Sequence, residues 1–174
     1  LKTGKVRGKG IACLQKAPAM PSNTSTSAIM QMDEDGNVRV MLGAVDMGQG
    51  ANTAMAQIAA EVLDMPLEKV RVAWDPDTDR HPYDWSTVAS KYTFMGGNAV
   101  KDCAQNMLRQ MKELAAQVLR CPAHDLAHGG EAIYHIQHAH RRVSYKDLAL
   151  GYTYENGNAI GGPLIARGVY MADG

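Results

Sequence analysis

Val100, Cys103, Ala104, Met107, Leu108, Met111, Leu114, Ala115, Val118 and Leu119 recur at three- and four-residue spacing and stop before Pro122. That spacing is one apolar face of a long helix, and such a face has to be buried against a second layer. A shorter stripe of the same kind, Ala51, Ala54, Met55, Ile58, Ala59 and Val62, ends near Pro66. The opposing layer is legible upstream. Residues 27–32 and 38–45 are apolar-rich runs separated by Asp33-Glu34-Asp35-Gly36-Asn37, whose Asp-Gly chemistry supplies the positive φ of a tight hairpin. Residues 70–74 alternate as a short strand, and residues 75–83, rich in Asp and Pro, read as a loop.

The flanks are weaker. Residues 6–14 are basic and then apolar, and a polar, Pro-bounded loop follows over 18–26. Beyond Cys121, residues 131–136 and 141–143 pair as a hairpin around a turn at 137–140. Ser144 to Asp147 forms a capping box that starts a short helix through Leu150. The five glycines between Gly151 and Gly168 predict irregular chain. The expected fold is α+β: a mostly antiparallel sheet with two main helices on one face and a small β-β-α tail. Residues 1–120 would form the core domain, and residues 121–174 a hairpin-and-helix extension incomplete at its C-terminus.

Composition removes several classes of function. Lys plus Arg and Asp plus Glu number 18 each, so no net field draws nucleic acid or an anionic membrane. No apolar run approaches the roughly 20 residues of a spanning helix. Cys13, Cys103 and Cys121 are widely spaced and odd in number, which argues for free thiols over a disulfide framework, a zinc site or an iron–sulfur ligand set. The chain starts at Leu1 rather than Met, and residues 168–174 stop without a cap or charged tail, as expected of a piece of a longer chain.

Two segments carry candidate chemistry. Gly43-Ala44-Val45-Asp46-Met47-Gly48-Gln49-Gly50 puts glycines where a strand gives way to a helix, so backbone amides and the helix dipole can meet an anion or an electron-rich ring, with Gln49 adding an amide. Ser86-Thr87-Val88-Ala89-Ser90-Lys91-Tyr92-Thr93 sets hydroxyls and small side chains before Gly96-Gly97 and the long helix. Taken singly, each is better read as a ligand-free turn or helix entry. The signal lies in the pair.

The succession D-M-G-Q-G (46–50), Q-I-A-A-E-V-L (57–63), Pro66, Asp77-Thr78, Pro82, S-T-V-A-S (86–90) and G-N-A-V (97–100) resembles the molybdopterin-binding large subunit of molybdenum hydroxylases of the xanthine dehydrogenase/aldehyde oxidase type. This family includes xanthine dehydrogenases, aldehyde oxidoreductases, carbon monoxide dehydrogenases and hydroxybenzoyl-coenzyme A reductases. Order and spacing match over about residues 8–119. The resemblance implies molybdenum held by a pterin dithiolene, no protein ligand to the metal, and cofactor contacts from Gly48, Gln49, Gly50, Val88, Ala89, Ser90 and Thr93. It implies a cytoplasmic oxidoreductase that hydroxylates a purine, another heterocycle or an aldehyde with oxygen from water. Electrons would pass to iron–sulfur and FAD partners, and the rest of the large subunit would complete the site. The alternative is a non-catalytic scaffold that keeps the fold without the cofactor.

The catalytic base of the family, a Glu in a Gly-x-Gly-Glu segment, has no counterpart here. Gly130-Glu131 follows the long helix too closely, so Glu131 reads as a solvated turn residue, no catalytic residue is assigned, and the fragment alone is expected to be inactive. The histidines between His124 and His140 lack a carboxylate or Cys at ligand spacing and read as a surface turn. Of the 11 methionines, Met55, Met107 and Met111 sit on the core stripes.

Overall fold

Asp33 organises the first hairpin from within its turn. Its carboxylate accepts the N–H groups of Asp35 (3.0 Å) and Asn37 (2.9 Å), and Gly36 takes φ 80°. The computed structural model describes residues 4–15, 23–73, 75 and 77–172. Strand Ser25–Met32 (β1) runs antiparallel to Val38–Leu42 (β2), pairing Ala28 with Leu42 and Met32 with Val38. β1 therefore begins inside the stretch read as a loop through residue 26, and β2 ends short of residue 45. The helices fall where the stripes predict them, Ala51–Leu63 (α1) and Gly97–Leu119 (α2), with a π-type turn at Tyr92–Gly96 leading into α2. Val70–Val72 (β3) pairs parallel with β2. Residues 18–22 of the first expected loop, Trp74 at the expected end of β3 and Pro76 in the next loop lie outside the described residues.

The second half differs more from the sequence reading. Leu126–Gly129 (β4), Ala132–His135 (β5) and His138–Ser144 (β6) form a three-stranded antiparallel sheet rather than one hairpin. The β4–β5 connection is the two residues Gly130 and Glu131 at φ 55° and 59°, a pairing of positive φ values that matches strand twist. Glu131 is not simply solvated: it pairs with Lys69 at 2.5 Å and is 30% exposed. His138 and His140 belong to β6 rather than to a turn, with their rings 6.0 Å apart on one side of the strand. Among the described residues, no group of three or more His, Cys, Asp or Glu side chains is arranged to hold a metal ion. Helix Tyr145–Leu148 (α3) is capped by Ser144, whose hydroxyl accepts the Asp147 N–H at 3.1 Å.

Tyr152–Thr153 (β7) and Ala159–Ile160 (β8) pair with each other, and Ile165–Met171 (β9) then joins the main sheet beside β1. The glycines of this stretch predict irregular chain instead. The strand forms because a place beside β1 is open to it, which is a tertiary fact that glycine content does not report. The sheet order is β3-β2-β1-β9. Its inner face (Thr26, Ala28, Met30, Met32, Val38, Val40, Leu42, Ala166) is buried against α1 and α2, whereas Ile165, Val169 and Met171 on the other face stay about half exposed.

α2 lies so close to β9 that a Cβ on Gly168 would stand 2.3 Å from both Ala99 O and Cys103 N. Cys103 donates to Ala166 O at 3.3 Å, and burial pushes its thiol pKa up to about 12. The polar side of α2 overhangs the strand. Asn106 and Gln110 donate to Arg167 O (2.9 Å) and Ile165 O (3.0 Å), and Asp102 accepts the Val169 N–H (3.0 Å), so an edge that would invite another strand is occupied. The tail caps both helices. Tyr145 donates to Leu63 O at 2.8 Å, His128 Nε2 meets Val62 O at 3.2 Å, and Arg141 donates to Leu119 O.

Gly168→Ala is expected to push α2 off β9 and to cost about 1–3 kcal/mol, the usual range for an added methyl in a packed interior. Urea unfolding will read this as a lower midpoint at unchanged slope. An unchanged midpoint would mean that the helix shifts freely on the sheet.

Candidate cofactor cleft

At Gly43 the chain leaving β2 meets the chain at 82–84. A Cβ there would lie 2.1 Å from Pro82 O, so only glycine permits the approach. Thr26 and Asp84 form a bridge across the same end of the sheet. Two loops are thereby brought side by side at the N-terminus of α1.

The first loop, residues 46–50, is held by Asp46. Its Oδ1 accepts the Gly48 (2.8 Å) and Gly50 (3.3 Å) N–H groups, and its Oδ2 accepts that of Asn52 (3.0 Å) in the first turn of α1. Those backbone donors, the Asn52 bond foremost, hold the carboxyl below its ordinary range. Asp46 is thus an N-cap acting from outside the usual cap position, which Gly50 fills at φ 78°. The amides that the sequence offers to an anion are partly satisfied by this carboxylate. Gln49 folds back on its own loop, accepting from Met47 N at 2.6 Å and donating to Val45 O at 3.4 Å.

The second loop, residues 84–93, begins with Asp84 accepting the Ser86 N–H (2.9 Å). Thr87 ties the loops together: its hydroxyl donates to Val45 O (3.1 Å) and accepts from Val45 N (3.0 Å). Ala89 and Ser90 take left-handed φ values of 51° and 56°. Consecutive non-glycine residues in that region cost energy and tend to mark functional segments. Lys91 is buried, with its ammonium 2.8 Å from Asp84 Oδ1 and 3.2 Å from Thr26 Oγ1. The Tyr92 hydroxyl reaches toward Ala44 O at 3.5 Å, and burial raises its pKa, with the negative charges of Asp84 and Asp46 adding to the shift.

Between the loops lies a cleft of about 510 Å³, lined by Met47, Gln49 and Ala51 on one side and by residues 87–93 on the other. Of the residues singled out in the sequence, Gln49, Val88, Ala89, Ser90 and Thr93 line it. Gly48 and Gly50 do not; they set the backbone at φ 100° and 78°, each with open space where a Cβ would stand. Asp46, Thr87 and Lys91 hold the cleft together without being among the cofactor contacts that the resemblance implies. Asp46 had a signal, an Asp two residues before a Gly, which is an Asx-turn pattern. Asp84 had none, because its partner is seven residues away and only the fold brings them together.

The chain belongs to the molybdopterin cofactor-binding domain family, which it matches over residues 1–174. It is 31% identical over 155 residues to the xanthine dehydrogenase molybdenum-binding subunit of Escherichia coli O157:H7, covering 85% of this chain and 20% of that protein. It is 27% identical over 165 residues to the nicotine 6-hydroxylase large subunit of Paenarthrobacter nicotinovorans, covering 89% and 20%. The structure superposes on CO dehydrogenase from Oligotropha carboxidovorans with a TM-score of 0.74 at 24% identity, over 84% of this chain and 18% of that one, a likeness of fold. The chain thus spans a fifth or less of the length of its curated relatives, 20% of these two.

The cleft fits one side of such a cofactor. Its lining offers an amide from Gln49, hydroxyls from Ser90 and Thr93, and small side chains at Val88 and Ala89, with no Cys, His or carboxylate among the lining residues. That donor set suits hydrogen bonds to a pterin and its phosphate and leaves a metal to be held by the pterin itself.

Asp46→Ala is expected to loosen the 46–50 loop and lower the stability of α1. A depressed carboxyl pKa contributes stability that is present above the ordinary carboxyl range and lost as pH falls through the folded-state value. The gap in unfolding midpoint between wild type and variant should therefore be widest near neutrality and close at acid pH. A gap independent of pH would remove Asp46 from the capping role.

Proposed function

We propose that this chain supplies one wall of the molybdopterin site of a cytoplasmic molybdenum hydroxylase acting on a purine, another heterocycle or an aldehyde. The rest of a large subunit would supply the opposing wall, and iron–sulfur and FAD subunits or domains would receive the electrons. One observation carries the reading: the Gln49 loop and the 87–93 segment, 38 or more residues apart in sequence, face each other across one cleft and are tied by the Thr87–Val45 hydrogen bonds. When bound, the molybdenum–pterin group supplies two-electron redox chemistry at an electron-poor carbon, with oxygen drawn from water.

The residues of this chain bind and orient. Gln49 turns its amide from Met47 N and Val45 O toward the cofactor, exchanging hydrogen bonds within its own loop for bonds to the ligand. Ser90 and Thr93 present hydroxyls from the far wall, and Val88 and Ala89 keep space open where bulk would obstruct substrate. Among the described residues that line the cleft, none is a carboxylate or an imidazole. Glu131, the one Glu in a Gly-Glu pair, sits in the β4–β5 turn and is engaged by Lys69, so the base comes from another part of the enzyme.

In the full-length enzyme, Gln49→Ala is expected to leave the thermal midpoint unchanged and to lower turnover on the order of a hundredfold, the scale of losing one preorganised donor. Turnover with hypoxanthine, nicotine and an aromatic aldehyde, measured alongside bound molybdenum, checks this. Normal turnover at full molybdenum content would show that Gln49 only shapes its loop. The 174-residue chain by itself is expected to purify without molybdenum, since a one-sided cradle lacks most converging donors. Stoichiometric metal by mass spectrometry would contradict the one-wall reading.

A further inference from the structure

Lys91 and Asp84 form an ion pair with side-chain exposures of 1% and 0%. A pair so deeply buried is a poor source of net stability, because desolvating two charges consumes most of what their attraction returns; in some proteins such a pair instead specifies register. Here the placement is specific. Asp84 and Lys91 are the two ends of the segment whose middle, Val88 to Ser90, lines the cleft. The Lys91 ammonium also reaches Thr26 Oγ1 on β1, a hydroxyl with no solvent exposure. The Thr26–Asp84 bridge holds the other end of the segment to the same residue. Asp84 Oδ2 is buried without a hydrogen-bond partner among the described residues, and the carboxylate is met through its Oδ1 by the Lys91 ammonium and the Ser86 N–H.

Ala89 and Ser90 stand immediately before Lys91 in left-handed conformation. Side chains with a Cβ hold that conformation only where the surroundings fix the chain on both sides. The Lys91–Asp84 pair, the Lys91–Thr26 hydrogen bond and the Thr26–Asp84 bridge join both ends of the segment to β1, an inner strand of the sheet.

We propose that Lys91, acting with Asp84 and Thr26, is a positioning residue that holds Val88, Ala89 and Ser90 in cofactor-binding geometry. This rests on the proposed molybdopterin site and adds the device that shapes one of its walls. Lys91 itself transfers no proton and ligates no metal. Its ammonium is turned away into the protein toward Asp84 and Thr26, and it acts through the backbone it anchors.

The test uses the full-length enzyme with the double variant Asp84→Asn/Lys91→Gln, which keeps hydrogen-bonding groups but removes both charges. Thr26→Val, an isosteric change that removes the Lys91–Thr26 hydrogen bond and leaves the Thr26–Asp84 backbone bridge, serves as the second variant. Molybdenum per protein, kcat per bound molybdenum, KM, the thermal midpoint and amide exchange over residues 84–93 are measured together. Losses for residues supporting a cofactor ligand run from about tenfold to a hundredfold in affinity or activity. The double variant is expected to lose molybdenum occupancy or kcat per molybdenum by about tenfold at unchanged KM, with exchange accelerated over 84–93 and not in α1. Thr26→Val should show the same pattern at smaller amplitude. If the double variant does not fold, Thr26→Val decides the matter. Wild-type occupancy, kcat and exchange in a folded variant would overturn the proposal. A full-length wild-type protein without molybdenum or pterin would instead overturn the functional reading, leaving the exchange data to judge whether the three residues hold the segment.

Discussion

The fold depends on how closely α2 can lie on β9 and β1. Gly168 sets that distance by having no Cβ where Ala99 O and Cys103 N pass. From this contact follow the burial of Met30 and Met107, the placing of Asp102, Asn106 and Gln110 over the edge of β9, and the second role of α2 as the layer between the main sheet and the tail. A helix packed on both sides needs a wide apolar arc, and the stripe from Val100 to Leu119 provides it. Met at 107 and 111 fills the irregular space between two unlike neighbours.

The cleft depends on a different kind of interaction. Its two walls are loops, and neither has an apolar core of its own. Polar groups hold them: Asp46 on three backbone amides, Thr87 on both backbone groups of Val45, and Lys91 on Asp84 and Thr26. Removing one member of a buried ion pair typically costs about 3–5 kcal/mol, because the other charge is left uncompensated, whereas an exposed pair such as Lys146–Asp35 contributes about 0–1 kcal/mol. The wall built on Lys91 is accordingly anchored in the protein interior. The Gln49 loop is exposed and is held by an accessible carboxylate.

The tail is bound to the helices by hydrogen bonds at their C-termini. Tyr145 and His128 reach carbonyls at the end of α1 and Arg141 one at the end of α2, while Glu131 pairs with Lys69 just before β3. Burial raises the Tyr145 pKa, with Asp64 and Glu131 nearby adding to it, so the hydroxyl remains a donor across the physiological range.

The sequence by itself determined the local elements whose signal is periodic or chemical over a few residues: both helices, the Asp-Gly hairpin, the Ser144 capping box and the glycine-bounded turn with Gln49. Each is set by interactions between neighbours in the chain, and these are written in residue spacing. It also carried the family, because the order D-M-G-Q-G, S-T-V-A-S, G-N-A-V survives translation into one dimension. Only the tertiary structure decided that β9 closes the main sheet, that β4 precedes the tail hairpin, and that Asp84, Lys91 and Thr26 meet in the interior. A strand with glycine at its centre carries little propensity of its own and forms because β1 and α2 leave it a place. An ion pair between residues separated by a loop exists only once the fold has excluded water from both, and no spacing along the chain encodes that exclusion.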